Sequence, residues 1–92
     1  MNQIYGIEYK RINKTMARRL FIKGEDILVV PCNVPPVRGV FSQEWTRSRY
    51  QKDGEPFDEL FNRLVNAWAY YNACCQLGYY PAFYVRTEVL LK

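Results

Sequence analysis

The sequence predicts an α+β fold with a mainly antiparallel sheet of three to four strands, one short N-terminal helix and one long helix in the C-terminal half. Two patterns support this class: short segments in which every second residue is apolar, and segments whose apolar residues recur three and four positions apart. The elements follow in the order β-α-β-(β)-α-β, which is also the order of the ferredoxin-like fold. A length of 92 residues suits one domain, residues 1–92.

The N-terminal half contains the clearest elements. Apolar and polar residues alternate over residues 4–10, which predicts a strand. A short helix is expected from Lys14 to Lys23, because its apolar residues fall on one face. Asn13 is a suitable N-cap for this helix, and Gly24 a suitable residue to end it. The apolar run that starts at Ile27 predicts a buried central strand.

The C-terminal half is dominated by the long helix. Pro56 suits its first position, and its apolar stripe continues towards Gly78, where we expect it to end. Only Arg63 is charged after Glu59, so we expect much of this helix to be covered. A last strand is predicted over residues 82–91. Residues 40–51 fit a strand best, although a helix over part of them is an alternative.

Several kinds of chemistry lack their usual residues. Without histidine, the chain has neither the usual general base near neutral pH nor a Ser-His or Cys-His pair. No glycine-rich phosphate loop is present. The three cysteines have no zinc-site spacing, and Cys32 follows a buried strand, which suggests a structural role. We therefore expect no enzymatic activity, no cofactor and no metal.

The net charge of +4 is unevenly distributed. Residues 1–52 contain ten Lys and Arg against four Asp and Glu, whereas residues 53–92 contain three against five. This asymmetry suggests a basic face for an anionic partner. A modest positive charge also serves solubility, which is the alternative explanation.

Three groups of residues are candidate contact sites. The first is a basic patch that can neutralise phosphates, or that is simply a solvated helix face: Lys10, Arg11, Lys14, Arg18, Arg19 and Lys23. The second interleaves aromatic rings with cations, as in single-stranded nucleic-acid binding or in a protected edge strand: Trp45, Arg47, Arg49 and Tyr50. The third is an aromatic cluster suited to a protein interface or to homodimerisation: Tyr70, Tyr79, Tyr80 and Tyr84.

Residues 67–85 carry Tyr-Tyr-Asn, then Gly-x-Tyr, then an aromatic strand, and residues 10–21 are followed by a Val-Pro-Cys strand. In these two segments the chain resembles small proteins of Firmicutes phages and conjugative elements. The resemblance covers about half of the chain. It implies an accessory protein of a mobile element, a class that includes host-defence inhibitors such as anti-CRISPR proteins, and it assigns no functional residue.

The expected function is therefore binding without catalysis, as an inhibitor or regulator of a host protein or nucleoprotein complex. Direct nucleic-acid binding through the basic N-terminal half is the alternative. No apolar run reaches the ~18 residues of a membrane span, and no secretory signal is recognised at the N-terminus. These features predict a cytoplasmic protein, and the resemblance implies that the cytoplasm is that of a bacterial host.

Overall fold

The computed structural model describes residues 2–4, 7–32, 42–74 and 80–91, with side chains described for residues 8–32, 42–70 and 80–91. It confirms the α+β class and both predicted helices. The elements are β1 (Asn2–Ile4), β2 (Ile7–Ile12), α1 (Lys14–Lys23), β3 (Ile27–Pro31), β4 (Gln43–Trp45), α2 (Arg47–Tyr50), α3 (Phe57–Cys74), β5 (Pro81–Arg86) and α4 (Thr87–Leu90). Among the described residues, no helix combines the length and apolar character that a bilayer crossing requires.

The five strands form one antiparallel sheet in the order β1-β2-β5-β3-β4. β2 and β3 run in the same direction, are joined through α1, and are separated by β5. A ferredoxin-like sheet also separates the first two strands of its β-α-β unit, but it places the third strand between them. In this chain the last strand takes that position, so the ferredoxin-like order is not the one adopted.

The main core lies between the sheet and the helices α1 and α3. Phe21 of α1 and Phe61 of α3 are fully buried, with ring centroids 5.7 Å apart. Trp45 and Phe83 from the sheet continue this cluster, with centroids 5.9 Å apart. Edge-to-face and tilted ring pairs of this kind add stability beyond the apolar area they bury.

The opposite face of the sheet is buried as well. Ile27 and Val29 of β3 belong to the core beneath the helices, whereas Leu28 and Val30 belong to a second buried cluster on the other face. Burial on both faces explains why β3 is a continuous apolar run rather than an alternating one.

The ends of α1 are formed by the residues that the sequence predicts. The side-chain oxygen of Asn13 accepts a hydrogen bond from the backbone N–H of Met16 at 2.8 Å. Gly24 adopts φ +117, a left-handed conformation that favours glycine, and its N–H donates to the carbonyl of Phe21 at 3.1 Å. These caps fix the length of α1 and therefore the set of residues on its outer surface.

The first and last predicted strands both need correction. Ile4 belongs to β1 and residues 7–10 belong to β2, and these two strands are antiparallel. An alternating pattern does not reveal that the chain has changed direction between them. The last strand ends at Arg86, and the helical turn α4 follows it. β3 begins only at Ile27, so a longer β5 would have a hydrogen-bonding neighbour on one side alone.

Residues 40–51 contain both of the structures that the sequence allows. Among residues 42–51, which the structure describes, the preferred strand is limited to β4, and α2 begins two residues after it. The Thr46 side chain accepts a hydrogen bond from the N–H of Arg49 at 3.2 Å and so caps α2. The predicted end of the long helix at Gly78 lies outside the described residues.

Candidate binding surface

Helix α1 has an apolar inner surface and a basic outer surface. Ala17 and Phe21 are fully buried against the sheet and α3. The side chains that consequently face away from the core line an open groove of about 550 Å³, and we call them the α1 outer face: Lys14, Thr15, Arg18, Arg19, Ile22 and Lys23. The face therefore consists of four cations around a centre formed by Thr15 and Ile22.

Most of the positive charge on the α1 outer face is not neutralised by the residues that the structure describes. Arg18 lies 3.9 Å from a carboxylate oxygen of Asp58, and both side chains are about half exposed. An ion pair with this geometry contributes little to stability. Within the described residues, no carboxylate pairs with Lys14, Arg19 or Lys23. These three cations are thus available to an external anion.

Lys10 and Arg11 do not extend this face as one patch. Lys10 lies opposite Val85, which belongs to the core beneath the helices, whereas Arg11 lies opposite Tyr84 on the other face of the sheet. Both side chains are exposed. Neighbouring residues of a strand point to opposite faces, so the predicted six-residue patch is divided between two sides of the sheet.

A second open groove, of about 760 Å³, lies where β2 ends and β5 begins, and we call it the strand-end groove. Its lining residues include the apolar Val65 and Phe83, together with Tyr80, which is 81% exposed. Arg11 and Lys14 contribute positive charge. Because Lys14 also lines the α1 outer face, the two surfaces adjoin each other.

The four residues that interleave aromatic rings with cations do not form a stacking surface. Trp45 is fully buried in the main core, and its indole N–H donates to the side-chain oxygen of Gln43 at 2.9 Å. Tyr50 is half-buried and packs against the same core. Only Arg49 is exposed among the four predicted residues. The prediction rests on the interleaving of aromatic and basic residues along the sequence, which does not reveal that Trp45 is buried in the core.

The side chain of Arg47 makes contacts within the protein instead of extending into solvent. Its guanidinium carbon lies 5.7 Å from the ring centroids of both Phe21 and Phe57. One terminal nitrogen donates to the backbone carbonyl of Glu25 at 3.0 Å, and the other lies 3.6 Å from a carboxylate oxygen of Asp26. Arg47 therefore connects α2 to α1, α3 and the turn that precedes β3.

Arg63, the only charge on the later part of α3, also makes internal contacts. It donates to the two carboxylate oxygens of Glu55 at 3.0 and 2.8 Å, and to the backbone carbonyl of Tyr50. The Arg63 hydrogen bonds, followed by one from the N–H of Lys52, lower the pKa of Glu55 from 4.5 to about 2. The bond with Glu55 raises the pKa of Arg63 in turn. This bidentate pair holds the turn after α2 against α3.

The predicted aromatic cluster is divided between exposed and buried positions. Tyr70 is 73% exposed and Tyr80 is 81% exposed. Tyr84 is buried in the second cluster of the sheet, so its ring is not available to a partner. Tyr79 lies outside the described residues. Tyr70 and Tyr80 therefore remain as candidate contact residues.

The outward side of α3 beyond its first turn is uncharged but exposed. Asn62, Asn66, Ala69 and Tyr70 all face solvent. The sequence predicts that much of this helix is covered, and within the described residues this surface is open. An exposed helix surface without charges is unusual for solvent contact alone, and it is a second candidate surface for a partner.

Sequence reasoning missed Thr15, Ile22 and Val65 as surface-forming residues. Thr15 and Ile22 share one side of α1, which a helical projection of residues 14–23 would have revealed. The position of Val65 beside the strand ends depends on how α3 crosses the sheet, and no local pattern encodes it. Among the described residues, no cluster of three or more Cys, Asp or Glu side chains could hold a metal ion.

Comparisons of this chain with known protein families, with curated proteins and with solved structures find no match.

Proposed function

We propose that this chain is a non-catalytic binding protein whose α1 outer face contacts a polyanion, namely nucleic acid that is free or part of a nucleoprotein complex. The observation that carries the proposal is the charge on this face: Lys14, Arg19 and Lys23 are exposed on one helix, without a carboxylate partner among the described residues. The fold holds these cations in place through the buried residues on the opposite side of α1.

The spacing of the cations suits a phosphate backbone. Lys14 and Arg18 are one helical turn apart, and so are Arg19 and Lys23, which separates the members of each pair by roughly 6 Å along the helix axis. One strand of nucleic acid can therefore meet both members of a pair at successive phosphates. Contacts of this type release counterions, and the affinity then falls as salt is added.

The resemblance to proteins of phages and conjugative elements supports a further part of the proposal. A basic protein encoded by such an element can inhibit or regulate a host nucleoprotein machine by occupying its guide RNA or its DNA. A positively charged surface is suited to contact with nucleic acid and unsuited to imitation of it.

The uncharged outward side of α3 favours a second candidate function, binding to a host protein. Tyr70 provides an exposed ring with a polar tip, the kind of side chain that is enriched at protein interfaces. Removing this ring with Tyr70→Ala should abolish capture of a protein partner from a nuclease-treated host lysate. An interface of this kind should depend only weakly on salt.

Salt-dependent binding of a fluorescently labelled oligonucleotide tests the main proposal. The double variant Arg19→Ala/Lys23→Ala should weaken binding and lower the slope of log K against log salt by between about 1 and 2, since two phosphate contacts are lost. Lys52→Ala is the control, because Lys52 is an exposed cation that follows α2 and does not belong to the α1 outer face. If the double variant and the control bind as the parent chain does, the α1 outer face is not the contact surface.

A further inference from the structure

We infer that the strand-end groove receives an unpaired base of single-stranded nucleic acid, with the flanking phosphates continuing onto the α1 outer face. The inference rests on the proposed function and adds the class of nucleic acid. It assigns to Tyr80 the role of the stacking ring, and to Arg11 and Lys14 the role of phosphate contacts at the mouth of the groove.

The groove has the size and lining that a nucleobase requires. Its volume of about 760 Å³ falls within the range of pockets that bind small molecules. Val65 and Phe83 supply apolar walls, and no acidic side chain is among the described residues of the lining. A planar base can therefore leave water for an apolar surface without bringing its phosphates close to a carboxylate.

Tyr80 presents its ring from a fixed backbone. The side chain is 81% exposed, yet its carbonyl accepts a hydrogen bond from the N–H of Cys32 at 2.8 Å. Pro81, the next residue, is paired with Pro31 in the sheet. Little backbone freedom is then lost when a base stacks on the ring, which favours binding. Exposed aromatic rings beside cations are the common means of holding single strands.

The arrangement of charge connects the groove to the basic helix. Arg11 points to the side of the sheet away from the helices, so it lies outside the α1 outer face but lines the groove. Lys14 belongs to both surfaces. A strand with its base against Tyr80 can thus place one phosphate between Arg11 and Lys14 and the following phosphates along α1.

Duplex nucleic acid should not use the groove in this way. Its bases are paired and stacked, and exposing one of them costs free energy that a single strand does not spend. Duplexes can still contact the α1 outer face through their phosphates. The inference therefore separates the two forms of nucleic acid by their dependence on Tyr80.

Equilibrium binding of labelled oligothymidylate, oligouridylate and a mixed-sequence duplex tests the inference. Tyr80→Ala should weaken binding of the single strands roughly 5- to 50-fold, with an unchanged salt slope, and should leave duplex binding as it is. Tyr80→Phe should bind as the parent chain does, because it keeps the ring. Tyr70→Ala, which removes an equally exposed tyrosine on α3, is the matched control.

The outcomes distinguish this inference from the proposed function. If Tyr80→Ala binds single strands normally while Arg19→Ala/Lys23→Ala does not, the stacking role is overturned and the polyanion contact stands. If none of these variants changes binding, or if the chain binds neither single strands nor duplex, both proposals fail. Comparing oligothymidylate with oligouridylate shows whether DNA or RNA is preferred. Because Tyr80 is exposed, we expect its substitution to leave the fold intact. Thermal unfolding of each variant checks this.

Discussion

The Arg47 side chain is partly exposed at the protein surface. Its contacts nevertheless predict that it contributes strongly to the stability of the fold. Its side chain is 21% exposed, and Arg47→Ala removes three kinds of contact at once. The matched control is Arg49→Ala, which removes an exposed arginine from the same helical turn.

The size of the effect follows from the individual contacts. A hydrogen bond from a charged donor to the Glu25 carbonyl contributes about 1.5–3 kcal/mol. Each cation–π contact, with Phe21 and with Phe57, adds about 0.5–1 kcal/mol. The ion pair with the half-exposed Asp26 adds less than about 1 kcal/mol. Because such terms are not strictly additive, we expect Arg47→Ala to cost about 3 kcal/mol.

Urea and thermal unfolding measure this cost. For a domain of this size, about 3 kcal/mol corresponds to a fall in Tm of more than about 10 °C. Arg47→Lys should recover less than half of the loss, because a compact ammonium group cannot reproduce the planar contacts with two rings. An Arg47→Ala variant within about 0.5 kcal/mol of Arg49→Ala would refute this account of the side chain.

Two further predictions concern Glu55 and the glycines with positive φ. Since the folded-state pKa of Glu55 lies below its ordinary value, its contribution to stability is complete above pH 4.5 and is lost as the pH falls towards 2. Glu55→Gln should therefore lower the urea midpoint at neutral pH, and this difference should shrink between pH 4.5 and 2; a constant difference would contradict the assignment. Gly24→Ala should cost about 1–2 kcal/mol in urea unfolding, because φ is +117 and no described atom lies within 4 Å of the added methyl group. Gly54→Ala, at φ +73, should cost less, and equal costs would show that backbone conformation is not the cause.

The elements that the sequence predicts well are those with a local physical signal. Asn13 and Gly24 mark the ends of α1 through hydrogen bonds within a few residues of each other. The run from Ile27 is apolar because both faces of β3 are buried. In each case the cause of the structure lies within one short segment, so periodicity and capping residues reveal it.

The elements that the sequence predicts poorly depend on distant partners. The end of β5 at Arg86 follows from where β3 begins, about 60 residues earlier in the chain. Trp45 is buried because its ring packs against Phe61 of α3 and Phe83 of β5, although the local pattern suggests an exposed strand. The strand-end groove likewise joins residues from β2, α3 and β5. The positive charge of α1 can be recognised from the sequence. That Lys10 and Arg11 lie on opposite faces of the sheet follows only from the register of the strands.

The central position of β5 has a consequence for how the protein is made. Within the sheet, β2 and β3 do not pair with each other and are bridged only by β5, residues 81–86, which are synthesised after every other described strand. Until those residues leave the ribosome, β2 and β3 each have one edge without a hydrogen-bonding neighbour. The sheet therefore cannot be completed during synthesis of the first 80 residues, and the nascent chain depends on rapid closure, or on chaperones, to avoid aggregation.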